Sequence, residues 1–218
     1  MPYSLENNLA VLRFDDGKAN AVSHAFIDDM MQGLEQAERE AGAAVVLGRE
    51  GVFSAGFDLK EIQKGPEAAA KLVGRGAEMM HRMFNLPMPL VAGCTGHAIA
   101  AGGFMLLASD TRIGAAGDFR IGLNETAINM VLPVFGFELA RNRLSKRHQT
   151  ASVIQAQLFE PEEARDAGFL DQVVDAANVE AACLEAAAKL AELPKDVYGA
   201  QKRKLREAPL AVMAADLA

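Results

Sequence analysis

Short apolar runs recur along this chain, and each is followed by a helical stretch or by a loop of small residues. Residues 43–47 (AAVVL) and 90–92 are typical of buried strands, whereas residues 66–84 are typical of a helix. Residues 161–168 and 178–192 also predict helices. Strands that alternate with helices favour an α/β core in which the strands pair mainly in parallel.

The remaining elements are predicted in other parts of the chain. They are strands within residues 5–14 (with a turn at Asn7-Asn8), over 111–114 and over 172–174, and helices capped by Ser23 or spanning residues 145–157 and 195–206.

Size and charge exclude several classes of protein. The 218 residues suit one domain, with room for a helical appendix. A net charge of -7 argues against a general nucleic-acid or anionic-membrane surface. No apolar run approaches the ~18 residues of a membrane span and nothing resembles a signal peptide, so the cytoplasm is the expected compartment. Cys94 and Cys183 are expected to be idle thiols, and the histidines show no metal-ligand spacing.

Two loops of small residues carry the chemistry. The first, residues 51–60, follows a predicted strand, and Gly56 lets its chain turn sharply so that the N–H of Phe57 points outwards. The second, residues 95–103, leads into an apolar helix whose first N–H groups, that of Ala101 among them, lack helical partners. Together the two N–H groups are suited to an oxyanion hole for a carbonyl oxygen.

Several segments together resemble the crotonase family, also called the enoyl-CoA hydratase/isomerase superfamily. The two glycine-rich loops stand in the order and spacing that this family shows. The resemblance covers about residues 5–205, and its matching segments are residues 18–21 (KANA), 53–60 (FSAGFDLK), 96–103 (GHAIAAGG) with Asp110, 121–126 (IGLNET) and 164–171 (ARDAGFLD).

This resemblance implies an α/β fold. Residues 1–190 are expected to form a spiral of ββα units and residues 191–218 a C-terminal helical region, shorter than in most relatives. The N–H groups of Phe57 and Ala101 would bind the oxygen of an acyl-CoA thioester. Most relatives have glycine where Ala101 stands, so the approach to that N–H is narrower here. Coenzyme A is part of the substrate, no separate cofactor or metal is expected, and a homotrimer or dimer of trimers is the expected assembly.

The resemblance also implies a path for the substrate. Lys18 is expected near the CoA phosphates, with the segment from Ala55 to Lys60 along the adenine and pantetheine. The implied substrate-binding residues are Lys18, Ala19, Ala55, Gly56, Asp58, Leu59, Lys60, His97, Gly102, Phe104 and Asn124. Asp58 is better suited to cap the helix that begins near Leu59, and Asp110 is better suited to a structural role. The basic run from Lys202 to Arg206 is interpreted as a solvated face or as a further contact for CoA phosphates.

The reaction depends on two positions. Hydratases of this family use two glutamates to hold and split a water. Phe104, which cannot transfer a proton, occupies the first position here, and Glu125 occupies the second. One carboxylate suits a proton shuttle from C2 to C4 of an enoyl chain, and residues 122–126 resemble the Δ3,Δ2-enoyl-CoA isomerase branch. The apolar side chains expected to raise the pKa of Glu125 are those of Phe104, Ile121, Leu123 and Ile128.

Alternatives stay open at this point. The protein is alternatively interpreted as a hydratase, or as an enzyme with another activity of the family such as thioester hydrolysis or decarboxylation. It is also suited to a non-catalytic acyl-CoA binder, because it ends at Ala218, before the final helical segment of most relatives. For Glu125 the structural alternative is a carboxylate at a helix start, favoured by the helix dipole.

Overall fold

Ten strands form two sheets in the computed structural model, which describes all 218 residues. One sheet has six strands in the order β1-β2-β3-β5-β7-β10, and the other has four in the order β4-β6-β8-β9. The strands are β1 Tyr3–Glu6, β2 Leu9–Arg13, β3 Ala43–Leu47, β4 Gly51–Ser54, β5 Leu90–Cys94, β6 Gly96–Ile99, β7 Thr111–Ala115, β8 Ile121–Gly122, β9 Leu158–Phe159 and β10 Gln172–Val174.

Nine α-helices surround the sheets. They are α1 His24–Glu40, α2 Leu59–Ile62, α3 Pro66–Phe84, α4 Ala101–Ala108, α5 Val134–Arg143, α6 Pro161–Ala167, α7 Val179–Ala191, α8 Lys195–Leu205 and α9 Glu207–Asp216. None of them combines the length and the apolar run that crossing a lipid bilayer requires.

From β3 to β8, consecutive strands form pairs, and each pair contributes one strand to each sheet. In the pairs β3-β4, β5-β6 and β7-β8, the first strand joins the six-stranded sheet and the second joins the four-stranded sheet. All neighbouring strands are parallel except β1 with β2 and β8 with β9. The expected α/β spiral of ββα units with mainly parallel pairing is therefore confirmed.

The inner strands of the six-stranded sheet are buried on both faces, which explains their unbroken apolar runs. All five residues of β3 are buried. Because neighbouring residues point to opposite faces, Val46 joins the main core, whereas Val45 packs under α7 with Cys183 and Ala187. The same alternation places β2 and β5 between two apolar layers, whereas the edge strands β1 and β10 contain no buried residue.

The local signals near the N-terminus are confirmed. Asn7 and Asn8 adopt left-handed backbone angles (φ 50° and 66°) in the tight turn between β1 and β2. Ser23 caps α1, since its Oγ accepts a hydrogen bond from the N–H of Phe26 at 3.2 Å.

The helix predicted over residues 145–157 is wrong. Only a π-helical turn, Thr150–Ile154, forms there. The N–H of Ser145 donates to the carbonyl of Ala167 at 2.9 Å, a tertiary bond that holds the start of the segment outside a helix. The sequence analysis also missed α5, whose buried side chains include Phe135 and Leu139.

The basic run at the C-terminus is not a fully solvated face. Lys202 and Arg206 are only 7% and 5% exposed. Both contact Asp110, with Lys202 Nζ at 2.7 Å and Arg206 Nη2 at 2.9 Å from its carboxylate oxygens. The α9 residues Leu210 and Met213 also pack in the main core, so this helix contacts its own chain.

Candidate active site

Three predicted catalytic segments follow three adjacent strands. β4, β6 and β8 lie side by side and run parallel. Phe57 follows the end of β4, Ala101 follows the end of β6, and Glu125 follows the end of β8. Since the carboxyl ends of parallel strands share one edge of a sheet, the topology brings these three residues to the same edge.

The first two segments also pack against each other. Gly56 has a φ of 107°, a backbone conformation that favours glycine. A Cβ at Gly56 would lie 3.1 Å from the Cβ of Ala100 and 3.7 Å from the backbone N of Ala101. The turn before Phe57 therefore rests directly on the turn before α4, and a side chain at Gly56 would push the two apart.

The N–H of Phe57 has no hydrogen-bond partner within the protein. On one side of it, the carbonyl of Gly56 accepts from the N–H of Val22 at 2.8 Å, and on the other the N–H of Asp58 donates to Val22 at 3.1 Å. Between them, the N–H of Phe57 donates to no protein acceptor. Its ring packs against α3, where Gly76 leaves the space that the ring fills.

The N–H of Ala101 lies at the start of α4. Within this helix, Phe104 N–H is the first to find an i−4 partner, the carbonyl of Ala100 at 3.0 Å. The N–H groups of Ala101, Gly102 and Gly103 therefore precede the helical ladder, at the positive end of the helix dipole. Ala101 is fully buried, in keeping with a donor that works away from bulk water.

Glu125 is buried, with 5% of its surface exposed. Its Oε2 has no hydrogen-bond partner, and neither has Oδ1 of the adjacent Asn124. Glu125 precedes a turn of 3-10 helix, Thr126–Ile128, but its side chain makes no capping hydrogen bond. A role as a helix cap therefore does not account for this carboxyl group.

Burial raises the pKa of Glu125 to about 7, and the neighbouring N–H groups of Glu125 and Asn124 oppose the rise only in part. Phe104, Ile121 and Leu123 are buried apolar residues, as expected for such a site, whereas Ile128 is 49% exposed. A carboxyl group with a pKa near neutrality can both take up and release a proton at ordinary pH.

Phe104 is held in place by α5. Its ring meets that of Phe135 edge-on, with centroids 5.2 Å apart. A Cβ at Gly136 would lie 2.9 Å from the Phe104 ring, so the helix approaches closely there. The ring adds an apolar surface where the resemblance expects the first hydratase glutamate.

Most of the residues predicted to line the CoA path lie along connected segments. The N–H of Ala55 donates to the carbonyl of Ala19 at 3.0 Å, which joins the Lys18 loop to the first glycine-rich loop. Asp58 caps α2 by accepting from the N–H of Lys60 at 2.9 Å. Leu59 is 64% exposed at the start of the same helix.

His97 and Gly102 occupy different environments. His97 lies near the start of β6, where its Nδ1 accepts from the N–H of Arg120 at 3.0 Å. A Cβ at Gly102 would lie 2.4 Å from the carbonyl oxygen of Ser54, so only glycine lets α4 begin against the end of β4. The substrate-binding roles of both residues stay predictions.

Sequence reasoning missed two buried polar residues beside the first loop, Asn20 and Ser54. The sequence feature that pointed to Asn20 is its position within residues 18–21, one of the segments that match the family. A cavity of about 550 Å³ lies elsewhere, against α8, and contains none of the predicted site residues. No cluster of His, Cys, Asp or Glu side chains could hold a metal ion. Both cysteines are buried, which raises the pKa of each thiol to about 12.

Comparisons with known proteins agree on one family. The family model described as enoyl-CoA hydratase/isomerase matches residues 4–215. Mitochondrial enoyl-CoA delta isomerase 1 of Homo sapiens is 30% identical over 92% of this chain and 68% of its own length. A probable enoyl-CoA hydratase of Bacillus subtilis is 32% identical over 86% of this chain and 73% of its own.

Solved structures show the same fold. A crystal structure of an enoyl-CoA hydratase/isomerase family protein from Pseudomonas syringae superposes with a TM-score of 0.96. The two chains are 41% identical, and the alignment covers 99% of this chain and 94% of the other.

Proposed function

The chain belongs to the enoyl-CoA hydratase/isomerase family, whose members act on acyl-CoA, and we propose that it moves the double bond of a 3-enoyl-CoA to position 2. The observation that carries this proposal is the buried carboxyl group of Glu125. One of its oxygens has no hydrogen-bond partner, and it follows the same strand edge as the N–H groups of Phe57 and Ala101.

The proposed reaction needs one base and one pair of donors. The thioester oxygen binds the N–H groups of Phe57 and Ala101. The Glu125 carboxylate removes a proton from C2, the electron pair of that C–H bond forms a double bond between C1 and C2, and the carbonyl π pair moves onto the thioester oxygen to give an enolate. When the carbonyl re-forms, the C1–C2 π pair moves to C2–C3, and the π pair of the C3–C4 double bond takes the proton back from Glu125 at C4. The two N–H groups stabilise the enolate oxygen between these steps.

The raised pKa of Glu125 suits both steps of the proposed reaction, the removal of the proton from C2 and its return at C4. With a pKa of about 7, the carboxylate is present in a substantial fraction at neutral pH and still binds a proton strongly enough to carry it. The unpaired Oε2 has no protein partner to displace before it receives the proton.

Hydration is the second candidate, because the Bacillus subtilis relative is described as a probable enoyl-CoA hydratase. Against it stands Phe104, a buried phenyl ring that cannot hold or split a water. Another well-shielded carboxylate, that of Asp110, pairs with Lys202 and Arg206, so it does not support a two-glutamate mechanism.

We also propose that the protein assembles as a homotrimer or as a dimer of trimers. Large apolar side chains are exposed beside the Glu125 segment, with Val131 81%, Ile154 65% and Ile128 49% exposed. Contact with a neighbouring copy would cover such a patch. Light scattering on the purified protein measures the mass that decides this point.

One assay separates the candidate functions. The purified protein is incubated with 3-enoyl-CoA and, separately, with 2-enoyl-CoA, and the formation of conjugated thioester and its hydration are followed. We expect conjugation of the first and no hydration of the second. Glu125→Gln should lower the isomerisation rate by roughly 10²- to 10⁴-fold, because it removes the base, while acyl-CoA binding persists.

Glu185→Gln is the matched control for that variant, since Glu185 lies exposed on α7 and pairs only with Lys189. Unchanged isomerisation by Glu125→Gln would refute the role of this residue. Hydration of 2-enoyl-CoA would favour the hydratase, and binding without turnover of either thioester would indicate a non-catalytic acyl-CoA binder.

A further inference from the structure

We propose that Asn20 is a positioning residue that fixes the Phe57 N–H in the geometry the thioester oxygen requires. The proposal rests on the function proposed above. Asn20 touches no reacting atom in that scheme. It acts through the backbone of the loop that carries the donor, and its side chain is the one polar group that ties three parts of the chain together at this point.

The Asn20 side chain is buried and saturated with hydrogen bonds. It is 1% exposed. Its Nδ2 donates to the carbonyls of Phe14 at 3.2 Å, of Val52 at 3.1 Å and of Phe53 at 3.1 Å. Its Oδ1 accepts from the N–H of Asp16 at 3.0 Å. The amide therefore joins the end of β2 and its following loop to β4, the strand that leads to Phe57.

The backbone of Asn20 continues this connection towards the donor. Its carbonyl accepts from the Ser54 hydroxyl at 2.8 Å, and the same hydroxyl oxygen accepts from the N–H of Gly56 at 3.3 Å. Gly56 immediately precedes Phe57. Two hydrogen bonds thus lead from the Asn20 carbonyl to the N–H of Gly56, the residue that is bonded to the Phe57 nitrogen.

The backbone conformation of Asn20 also restricts which residue can stand there. Its φ is 50°, in the left-handed region that asparagine and glycine tolerate best. Asp16 Oδ1 accepts from its N–H at 2.9 Å and from that of Lys18 at 2.7 Å, which holds the loop in this conformation. Glycine would keep the backbone but lose every side-chain bond.

No other side chain of this size supplies the same bonds. The three carbonyls need a donor, and Asp16 N–H needs an acceptor, so an amide satisfies both. Aspartate would offer no donor at ordinary pH and would place a charge against three carbonyl oxygens. The hydrogen bonds that position 20 makes with Phe14, Asp16 and β4 therefore require asparagine there.

The experiment measures the hydrogen bonding to the thioester carbonyl oxygen separately from the rate of turnover. Butanoyl-CoA labelled with carbon-13 at the thioester carbonyl is bound at saturation, and its carbonyl stretch is recorded by isotope-edited infrared spectroscopy. Hydrogen bonds to this oxygen lower the frequency relative to free thioester. Wild type, Asn20→Gly, Ser54→Ala and Asn7→Gly are compared, together with kcat and KM for 3-enoyl-CoA.

We expect the wild-type band to be shifted down on binding, and the bands of Asn20→Gly and Ser54→Ala to move back towards the free value. We expect kcat to fall roughly 10- to 100-fold, as for small displacements of a positioned group, with a smaller change in KM. Asn7→Gly changes another asparagine of positive φ, in the exposed hairpin turn, and should leave both readouts unchanged.

A folded Asn20→Gly that shows the wild-type band and the wild-type kcat would overturn the proposal. Should Asn20→Gly not fold, the same result from Ser54→Ala would overturn it, because Ser54 is the link between Asn20 and Gly56. A wild-type protein that shifts the band but does not isomerise contradicts the proposed reaction alone. A wild-type protein that binds the thioester with no shift contradicts the positioning role.

Discussion

At the level of single residues, Glu125 shows the cost of keeping a proton carrier in an apolar site. Its carboxyl group is buried with one oxygen unpaired, an arrangement that destabilises the charged form. A protein selected for stability alone would place a different residue there. The strain is understandable if this group must exchange a proton with a bound substrate.

This cost predicts how stability depends on pH. The pKa of Glu125 is raised from its usual 4.5 to about 7 in the folded protein, so between these values the folded state binds more protons than the unfolded state. Stability from this group is therefore present below pH 4.5 and is lost as the pH rises through about 7. The loss amounts to about 3 kcal/mol.

Glu125→Gln removes this titration. The variant should gain stability relative to wild type as the pH rises from 4.5 to above 7, by about 3 kcal/mol in the free energy of unfolding. Urea denaturation at several pH values measures the difference, with Glu185→Gln as the exposed control. A difference between variant and wild type that stays constant over this range would contradict the buried, raised-pKa state of Glu125.

At the level of elements, the site depends on how closely α4 begins against β4. A Cβ at Gly102 would lie 2.4 Å from the backbone oxygen of Ser54, which cannot move aside as a side chain can. The first turn of α4 carries the Ala101 N–H, so any shift of this turn changes the distance between the two proposed donors.

Gly102→Ala should therefore lower both stability and activity. We expect a loss of about 1–3 kcal/mol from the overpacked contact, together with a lower kcat from the displaced Ala101 N–H. Gly74→Ala in α3 is the matched control, since nothing lies within 4 Å of the added Cβ. That control should gain up to about 1 kcal/mol from helix propensity. Gly102→Ala with wild-type kcat and stability would show that the contact has room to relax.

At the level of the whole molecule, one carboxylate joins the C-terminal helices to the sheets. Asp110 accepts from the N–H of Leu90 at the start of β5 at 2.9 Å and pairs with Lys202 and Arg206 of the C-terminal region. Burial lowers the pKa of Lys202 to about 8, and the nearby Asp110 opposes that change. The pairing holds residues that are far apart in the chain.

Asp110→Asn should destabilise the protein strongly, because it leaves two buried cations without their shared counter-charge. The expected loss is about 3–5 kcal/mol in the free energy of unfolding, measured by urea denaturation. Glu207→Gln breaks the exposed pair with Lys204 and should cost no more than about 1 kcal/mol. Equal effects of the two variants would mean that the Asp110 cluster is solvated rather than buried.

Local patterns predicted much of the fold. The bounds of α3 and β3, the Ser23 cap and the hairpin turn at Asn7-Asn8 are all as expected. Their signals lie within a few residues of one another, so a window of sequence contains the physics that forms them. The helix prediction over residues 145–157 was wrong for the opposite reason. A hydrogen bond from Ser145 to the distant Ala167 decides the conformation at the start of this segment.

Sequence patterns specify the α/β class, the family resemblance and the segments that carry Phe57, Ala101 and Glu125. The folded structure adds that Glu125 is buried with one oxygen unpaired, that Lys202 and Arg206 are internal, and that Asn20 hydrogen-bonds to the first loop. The physical reason is desolvation. Whether a polar group is paired or exposed depends on neighbours brought together from distant parts of the chain, and no local pattern contains them.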